Sequence, residues 1–393
     1  MTGVLLALLL SADGGTAAPI GPAARATVVL GGDIIPHTPL KDAIRTEAKR
    51  DAAKMGELWA ETLAPLNPIF SKADLTVANL ETPIVQLKKP FSGQWIFHAG
   101  PELLDGLKRG GIKAVSFANN HSRDQQLEGI TQTRKFLDAA GLKSLGAASD
   151  EAAAWEPLIV EVNGIRLGFF AFTRFLNHFK NKKNAPHVPF VPYSGEPRDG
   201  GMTVKELLEK VKAMRARCDA LVVLPHWGNE YWVSPKDSDQ ALAEQLLAAG
   251  VTAVVGSHPH VVQPIIWRRM AEKDDRLVAF SLGNLISNQE PDDWSNESRF
   301  GLVLELVFEH VNGAVRLTGA TPTPIWTDNN PAPNGRKIQT MAVREAIERY
   351  RQQAAAPDTK PHKVKFFTNR ADRLGRILIR LEKMTRTEVT RSP

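Results

Sequence analysis

Two imidazoles stand side by side in Gly256-Ser257-His258-Pro259-His260, directly after the apolar residues 251–255. That is the end of an expected buried strand, where open α/β sheets do chemistry. Alternation along an extended segment puts His258 and His260 on one side, with Pro259 restricting the backbone between them. The placement recurs along the chain: residues 27–30 run into Gly31-Gly32-Asp33 with His37 close behind, and residues 75–78 run into Asn79-Leu80-Glu81. Residues 114–118 end in Asn119-Asn120-His121 with Asp124 following, and residues 221–224 end in Pro225-His226-Trp227-Gly228-Asn229-Glu230. One Asp or His after a strand is ordinarily a turn residue or a helix cap. Five strands that each deliver a carboxylate, amide or imidazole point instead to a shared site. These donors are hard or borderline ligands that suit Mn, Zn, Fe or Mg rather than a thiolate site. There are enough of them for two divalent ions sharing a carboxylate, at ~3.5–4 Å separation in such centres. The expectation is a two-metal hydrolytic centre.

The elements that must position these groups alternate between strand and helix. Helical patterns run over residues 41–63, 102–108, 128–140, 204–217 and 240–249, between the apolar strands, which argues for α/β layers. Asn163-Gly164 and Asn312-Gly313 each sit between two strand-like runs, the signature of a two-residue hairpin. A purely parallel sheet is therefore disfavoured, and a mixed or two-sheet sandwich with helices outside fits better. Residues 173–202 have no period and include Arg174, His178 and His187; so long a loop is commonly functional or disordered, and its position allows it to lie over the site.

The chain has 393 residues, 43% of them hydrophobic and 23% charged, as expected of a folded protein with one large α/β domain or two smaller ones. The single cysteine, Cys218, excludes an intrachain disulfide and a thiolate cluster and is expected to be a buried structural thiol. Residues 1–26 begin with a short apolar run and end in Ala24-Arg25-Ala26, which resembles a secretory signal and predicts export to the periplasm or cell envelope. The run is preceded by no Lys or Arg, and without a functional leader the protein would be cytoplasmic. Residues 360–393 carry ten Lys and Arg against three Asp and Glu, although the whole chain is only +6. The basic character thus belongs to the tail, whose roughly helical apolar spacing leaves two readings open: an amphipathic helix on an anionic membrane surface or polymer, or a terminal helix packed on the core with a solvated basic face.

Gly32-Asp33, Asn79-Leu80-Glu81, Asn119-Asn120-His121 with Asp124 and Gly129, His226-Trp227-Gly228 with Glu230, Gly256-Ser257-His258-Pro259-His260 and Ser281-Leu282-Gly283-Asn284 together resemble the CapA family of bacterial capsule and poly-γ-glutamate synthesis proteins. The likeness covers residues 26–326 and leaves the tail outside. That family is similar to calcineurin-like metallophosphoesterases, which implies a four-layer αββα sandwich with two mixed β-sheets over residues 27–330; the spacing and charge of the tail give the expectation of a helical basic extension over residues 331–393. Carried over residue by residue, the resemblance implies that Asp33 and His260 bind a first metal, that Glu81 bridges, and that Asn120, His226 and His258 complete a second. It makes His121 the proton donor to the leaving group, with Asp124 orienting its imidazole. Asn79, Arg123, Arg174, Glu230 and Asn284 are supporting or substrate-binding candidates. The superfamily's Asp-x-His opening is absent, since two isoleucines follow Asp33, and His37 is the substitute ligand to consider.

The implied activity is a metal-dependent hydrolase or transferase acting on an anionic polymer such as poly-γ-glutamate. Two alternatives stay open: a phosphoesterase or nucleotidase on the same scaffold, or a non-catalytic subunit of polymer synthesis. No Gly-x-Ser-x-Gly elbow and no phosphate-cradling P-loop occurs, which disfavours serine hydrolases and nucleotide kinases, and no nucleic-acid partner is expected.

Overall fold

In the computed structural model, residues 24–93, 95–271, 274–288, 298–328, 331–332, 335–336, 338–386 and 389–391 are described. Most of the expected leader lies outside them. Two mixed sheets form the centre. The first runs in the order Gln339–Ala342, Ala314–Asp328, Phe300–Val311, Arg25–Ile35, Leu75–Leu80, Ala114–Phe117 and Lys143–Gly146, with Asn284–Ser287 also pairing to Arg25–Ile35. The second runs Val389–Arg391, Ile265–Ala271, Asp274–Ala279, Ala253–Val255, Ala220–His226, Ile165–Thr173 and Leu158–Val162. In each sheet the strands that carry the polar motifs are parallel neighbours, so their C-terminal ends open at one edge of the sheet.

Strand alternation explains the layers. Val28 and Leu30 join Val77, Leu167, Phe169, Val222 and Val255 in one buried cluster between the sheets. Val29, on the opposite face, meets Leu58, Trp59, Leu63, Leu103 and Leu107 from the outer helices. On the far side Phe170, Leu221 and Val223 pack against Leu207, Val211, Leu242 and Leu246. Each such side chain contributes about 1.5–3 kcal/mol when fully buried. The result is the four-layer αββα sandwich with two mixed sheets that the resemblance implied. Cys218 is buried and free, as expected.

Both Asn-Gly turns form two-residue hairpins, with φ of 50° and 79° at Asn163-Gly164 and 52° and 80° at Asn312-Gly313, the left-handed pair a type I′ turn needs. The helical pattern over residues 41–63 is not one helix. It splits into Thr38–Glu47 and Ala52–Leu63, because Lys49 and Arg50 take positive φ and Asp51 caps the second helix through Lys54 N–H at 2.7 Å. The basic helix Pro361–Thr385 buries Ala371, Leu374, Leu378 and Leu381 in the inter-sheet cluster, which fits the packed-helix reading of the tail. No helix among the described residues is long and apolar enough to cross a membrane.

Candidate metal centre

Asp33 lies within its strand, where the pairing of Arg25–Ile35 shifts register toward Asn284–Ser287. That shift needs close backbone approach: Asp33 N–H donates to the Gly283 carbonyl at 3.0 Å, and a Cβ on Gly32 would lie 1.9 Å from the same oxygen. Gly283, at φ 65°, makes the turn. The Ser281-Leu282-Gly283-Asn284 motif thus lets the strand pass the site, and Asn284 Oδ1 sits 3.2 Å from His260 Nδ1.

The six proposed ligands gather. Around His226 Nε2 stand Asn120 Oδ1 at 2.8 Å and Glu81 Oε1 at 3.3 Å. His260 Nδ1 lies 3.2 Å from Asp33 Oδ2, and the His258 N–H donates to that same oxygen at 3.2 Å. Asn79 ties the two halves, donating to Asp33 Oδ1 at 2.8 Å while its own carbonyl accepts from Ser116 and Asn119 at 3.2 Å. Three groups have ligand atoms within 4.8 Å of one another: Glu81 with His226 and His258, Asp33 with Glu81 and His260, and Glu230 with His258 and His260. Glu81 belongs to two of them, the position a bridging carboxylate would occupy.

The pair His258 and His260 does not lie on an extended segment. The strand stops at Val255, and His258 and His260 take φ of 99° and 57°, a region costly for side chains with a Cβ. The bend is what turns both rings inward, with centroids 5.9 Å apart, where strict alternation would have held them parallel on one side.

Burial sets the charge states. It holds His226 down to about 3 and His258 well below the usual imidazole range, so both present lone pairs, the ligating form. Burial, helped by the charge of Asp33, pushes Glu81 well up. For Asp33 burial acts upward, but the hydrogen bond and charge of His260 override it and the carboxyl is lowered. His260 itself is opposed by burial yet raised to about 9 by Glu81 and Asp33. Glu81 Oε1 and His258 Nδ1 are buried without a hydrogen-bond partner, which is costly. Two carboxyl groups, an amide and three imidazoles with such orphaned atoms fit divalent cations, whose binding would displace the protons that Glu81 and His260 hold.

His121 stands beside this cluster. Its Nδ1 lies 2.8 Å from Asp124 Oδ2, and Phe97 stacks on its ring at 4.2 Å while donating its N–H to Asp124 at 2.6 Å. With Nδ1 engaged, Nε2 is left for a ligand in the cleft that His121 lines. His37 is in none of the three groups; its Nδ1 accepts from Asn288 N–H at 3.2 Å, and burial holds it down to about 4. Of the two roles expected for the arginines, supporting or substrate-binding, their contacts are of the supporting kind. Arg123 is buried and donates to the Lys180 carbonyl at 2.6 Å, and Arg174 stacks on Tyr193 at 3.9 Å beside Asp239. Both brace the long loop over residues 173–202, whose curvature the sequence pattern did not show. That loop also delivers Asn177, which donates to the Asn120 carbonyl at 3.2 Å. Phe97, Asn177 and Tyr193 were not marked in the sequence, since each lies in a stretch without period.

Sandwich and strand-end cluster together define an α/β protein with a candidate metal centre at the sheet edge. Residues 27–289 match the family model described as Bacterial capsule synthesis protein PGA_cap, and the chain belongs to that family. It is 28% identical over 273 residues to PGA biosynthesis protein CapA of Bacillus subtilis (strain 168), with 67% of each chain covered. It is 26% identical over 232 residues to Capsule biosynthesis protein CapA of Bacillus anthracis, covering 57% of this chain and 53% of that one; the match thus spans about half of that relative. Among solved structures it is similar to the calcineurin-like phosphoesterase YfkN from Bacillus subtilis, with TM-score 0.43, 13% identity, and coverage of 77% of this chain and 91% of that one.

Proposed function

We propose that this chain is a metal-dependent hydrolase or transferase of capsule and poly-glutamate metabolism, acting on a phosphoryl or acyl centre without a protein nucleophile. The observation that carries the reading is Glu81, shared between two groups of potential ligands at the strand ends. The names of the Bacillus relatives support the polymer context. Asp33 and His260 would hold one divalent cation, Asn120, His226 and His258 another, and Glu81 both. Bound there, the cations would supply Lewis acidity that activates water and polarises the reacting centre. Asn79 fixes the carboxylate of Asp33, and Ser257 Oγ, 3.0 Å from His226 Nδ1, fixes that imidazole. Water gives its hydroxyl to the reacting centre as the bond to the leaving group breaks, and the proton it loses passes to solvent; His121, entering as the imidazolium, gives its Nε2 proton to the departing atom and is reprotonated from solvent for the next turnover. Asp124 holds the ring in that orientation.

Turnover of bis(4-nitrophenyl) phosphate by the Mn-loaded protein tests this reading, with loss in His121→Ala expected. A non-catalytic role in polymer synthesis is the second reading. It is favoured by the missing Asp-x-His motif, since His37 accepts a backbone hydrogen bond instead of joining a ligand group.

A further inference from the structure

A cleft of about 630 Å³ opens beside His121. Two jaws form it, and both are tied to the segment that follows strand Ala114–Phe117. On one side Gln125 accepts from Phe91 N–H at 2.9 Å and donates to the carbonyls of Phe91 and Phe97 at 2.8 and 3.1 Å, next to the Asp124 bond to Phe97. These bonds fix Phe91 and Phe97 in place. Between them Trp95 and Ile96 line the cleft while 62% and 39% exposed, an arrangement that leaves large apolar surface in water for a ligand to cover. On the other side the bonds from Asn177 to Asn120 and from Arg123 to Lys180 bring Phe179 into the lining.

The charge of the cleft is the second observation. Among the described residues its lining contains no Lys or Arg, while Asp124 and Glu230 both belong to it. Of the nearby cations, Arg123 donates to the Lys180 carbonyl with its guanidinium 5.3 Å from the Phe179 ring, and Lys180 pairs with Asp199 at 2.7 Å. A carboxylate seated against Trp95, Ile96 and Phe179 would be desolvated by apolar walls with no Lys or Arg of the lining to pair with.

We infer that this cleft is a leaving-group subsite for an uncharged aromatic group, stacked on Trp95 and flanked by Ile96 and Phe179. The inference rests on the proposed hydrolase reading for the term leaving group; the subsite itself is a matter of binding. The Mn-loaded full chain is titrated calorimetrically with phenylphosphonate and with 3-phosphonopropionate, which share a phosphonate and differ in ring against carboxylate. Phenylphosphonate binds about tenfold tighter, the size of one aromatic contact, and Trp95→Ala brings the ratio to about one. Equal or tighter binding of 3-phosphonopropionate, no binding of phenylphosphonate, or a preference that survives Trp95→Ala overturns the subsite. The two readings fail separately. Trp95-dependent binding without turnover of either bis(4-nitrophenyl) phosphate or poly-γ-glutamate removes the hydrolase and keeps the subsite, whereas turnover without a ring preference removes the subsite alone.

Discussion

His121 owes the role proposed for it to neighbours that no spacing rule announces. Asp124, three residues on, is visible in the sequence, but Phe97, whose ring packs on the imidazole and whose backbone N–H donates to the same carboxylate, comes from a segment without period. His121→Ala is expected to lower turnover by about 10²–10⁴, the usual weight of general acid catalysis, while metal content stays constant, as assayed by elemental analysis of the purified variant. Asp124→Asn is expected to lower kcat by about 10- to 100-fold through misorientation of the ring; a variant at wild-type rate would remove Asp124 from the account. The candidate ligands themselves were legible, because a polar residue after an apolar run marks a strand end whatever the tertiary structure. Their inward aim was not. It depends at His258 and His260 on positive φ, which long-range packing imposes and local preference opposes.

Strands and loops position the site through a strut behind the imidazoles. Tyr193 Oη accepts from Gly228 N–H at 2.8 Å, donates to Asp239 at 2.9 Å, and its ring lies between Arg174 and Lys236. Phe175 connects that ring to His258, with centroids 5.2 and 4.6 Å away. Tyr193→Phe leaves the Gly228 N–H without its acceptor, at an expected cost of about 1–3 kcal/mol, read as a lower urea midpoint. Asp239 is pushed up to about 6 by burial, against the hydrogen bond of Tyr193 and the charges of Arg174 and Lys236. The folded state therefore holds its proton more tightly than the unfolded chain, and the stability this contributes is present below about 4 and lost as pH rises through 6. Urea midpoints of wild type and Asp239→Asn between pH 4 and 6 should diverge with that sign; parallel curves would contradict it. At this scale the hairpins were legible because Asn-Gly needs no tertiary help to turn. The break between Thr38–Glu47 and Ala52–Leu63 was hidden, since the residues at the break, Lys49 and Arg50, carry no Gly or Pro signal.

The molecule as a whole joins two sheets whose motif-bearing edges face one centre, and the C-terminal helices pack on the shared core. Arg370 sits among Trp326, Tyr350 and Phe366 at 5.1 to 5.5 Å, and Leu374 and Leu378 are buried beside them. The apolar stripe of the basic helix is thus used on the protein itself, and its cationic side faces outward. Leu374→Ala should destabilise the fold by about 2–5 kcal/mol, measured by denaturant unfolding; an unchanged midpoint would mean a detachable tail. Cation binding at the sheet edge should also stabilise the whole chain, by about 2.7 kcal/mol at a hundred times Kd, and chelation should lower Tm accordingly. The most direct measurement is the number of Mn ions retained per chain after equilibrium dialysis, in wild type and Glu81→Gln. Two equivalents falling to one or fewer in the variant is the predicted result. Less than one equivalent in the wild type, or a count that Glu81→Gln leaves unchanged, would contradict a shared two-cation centre.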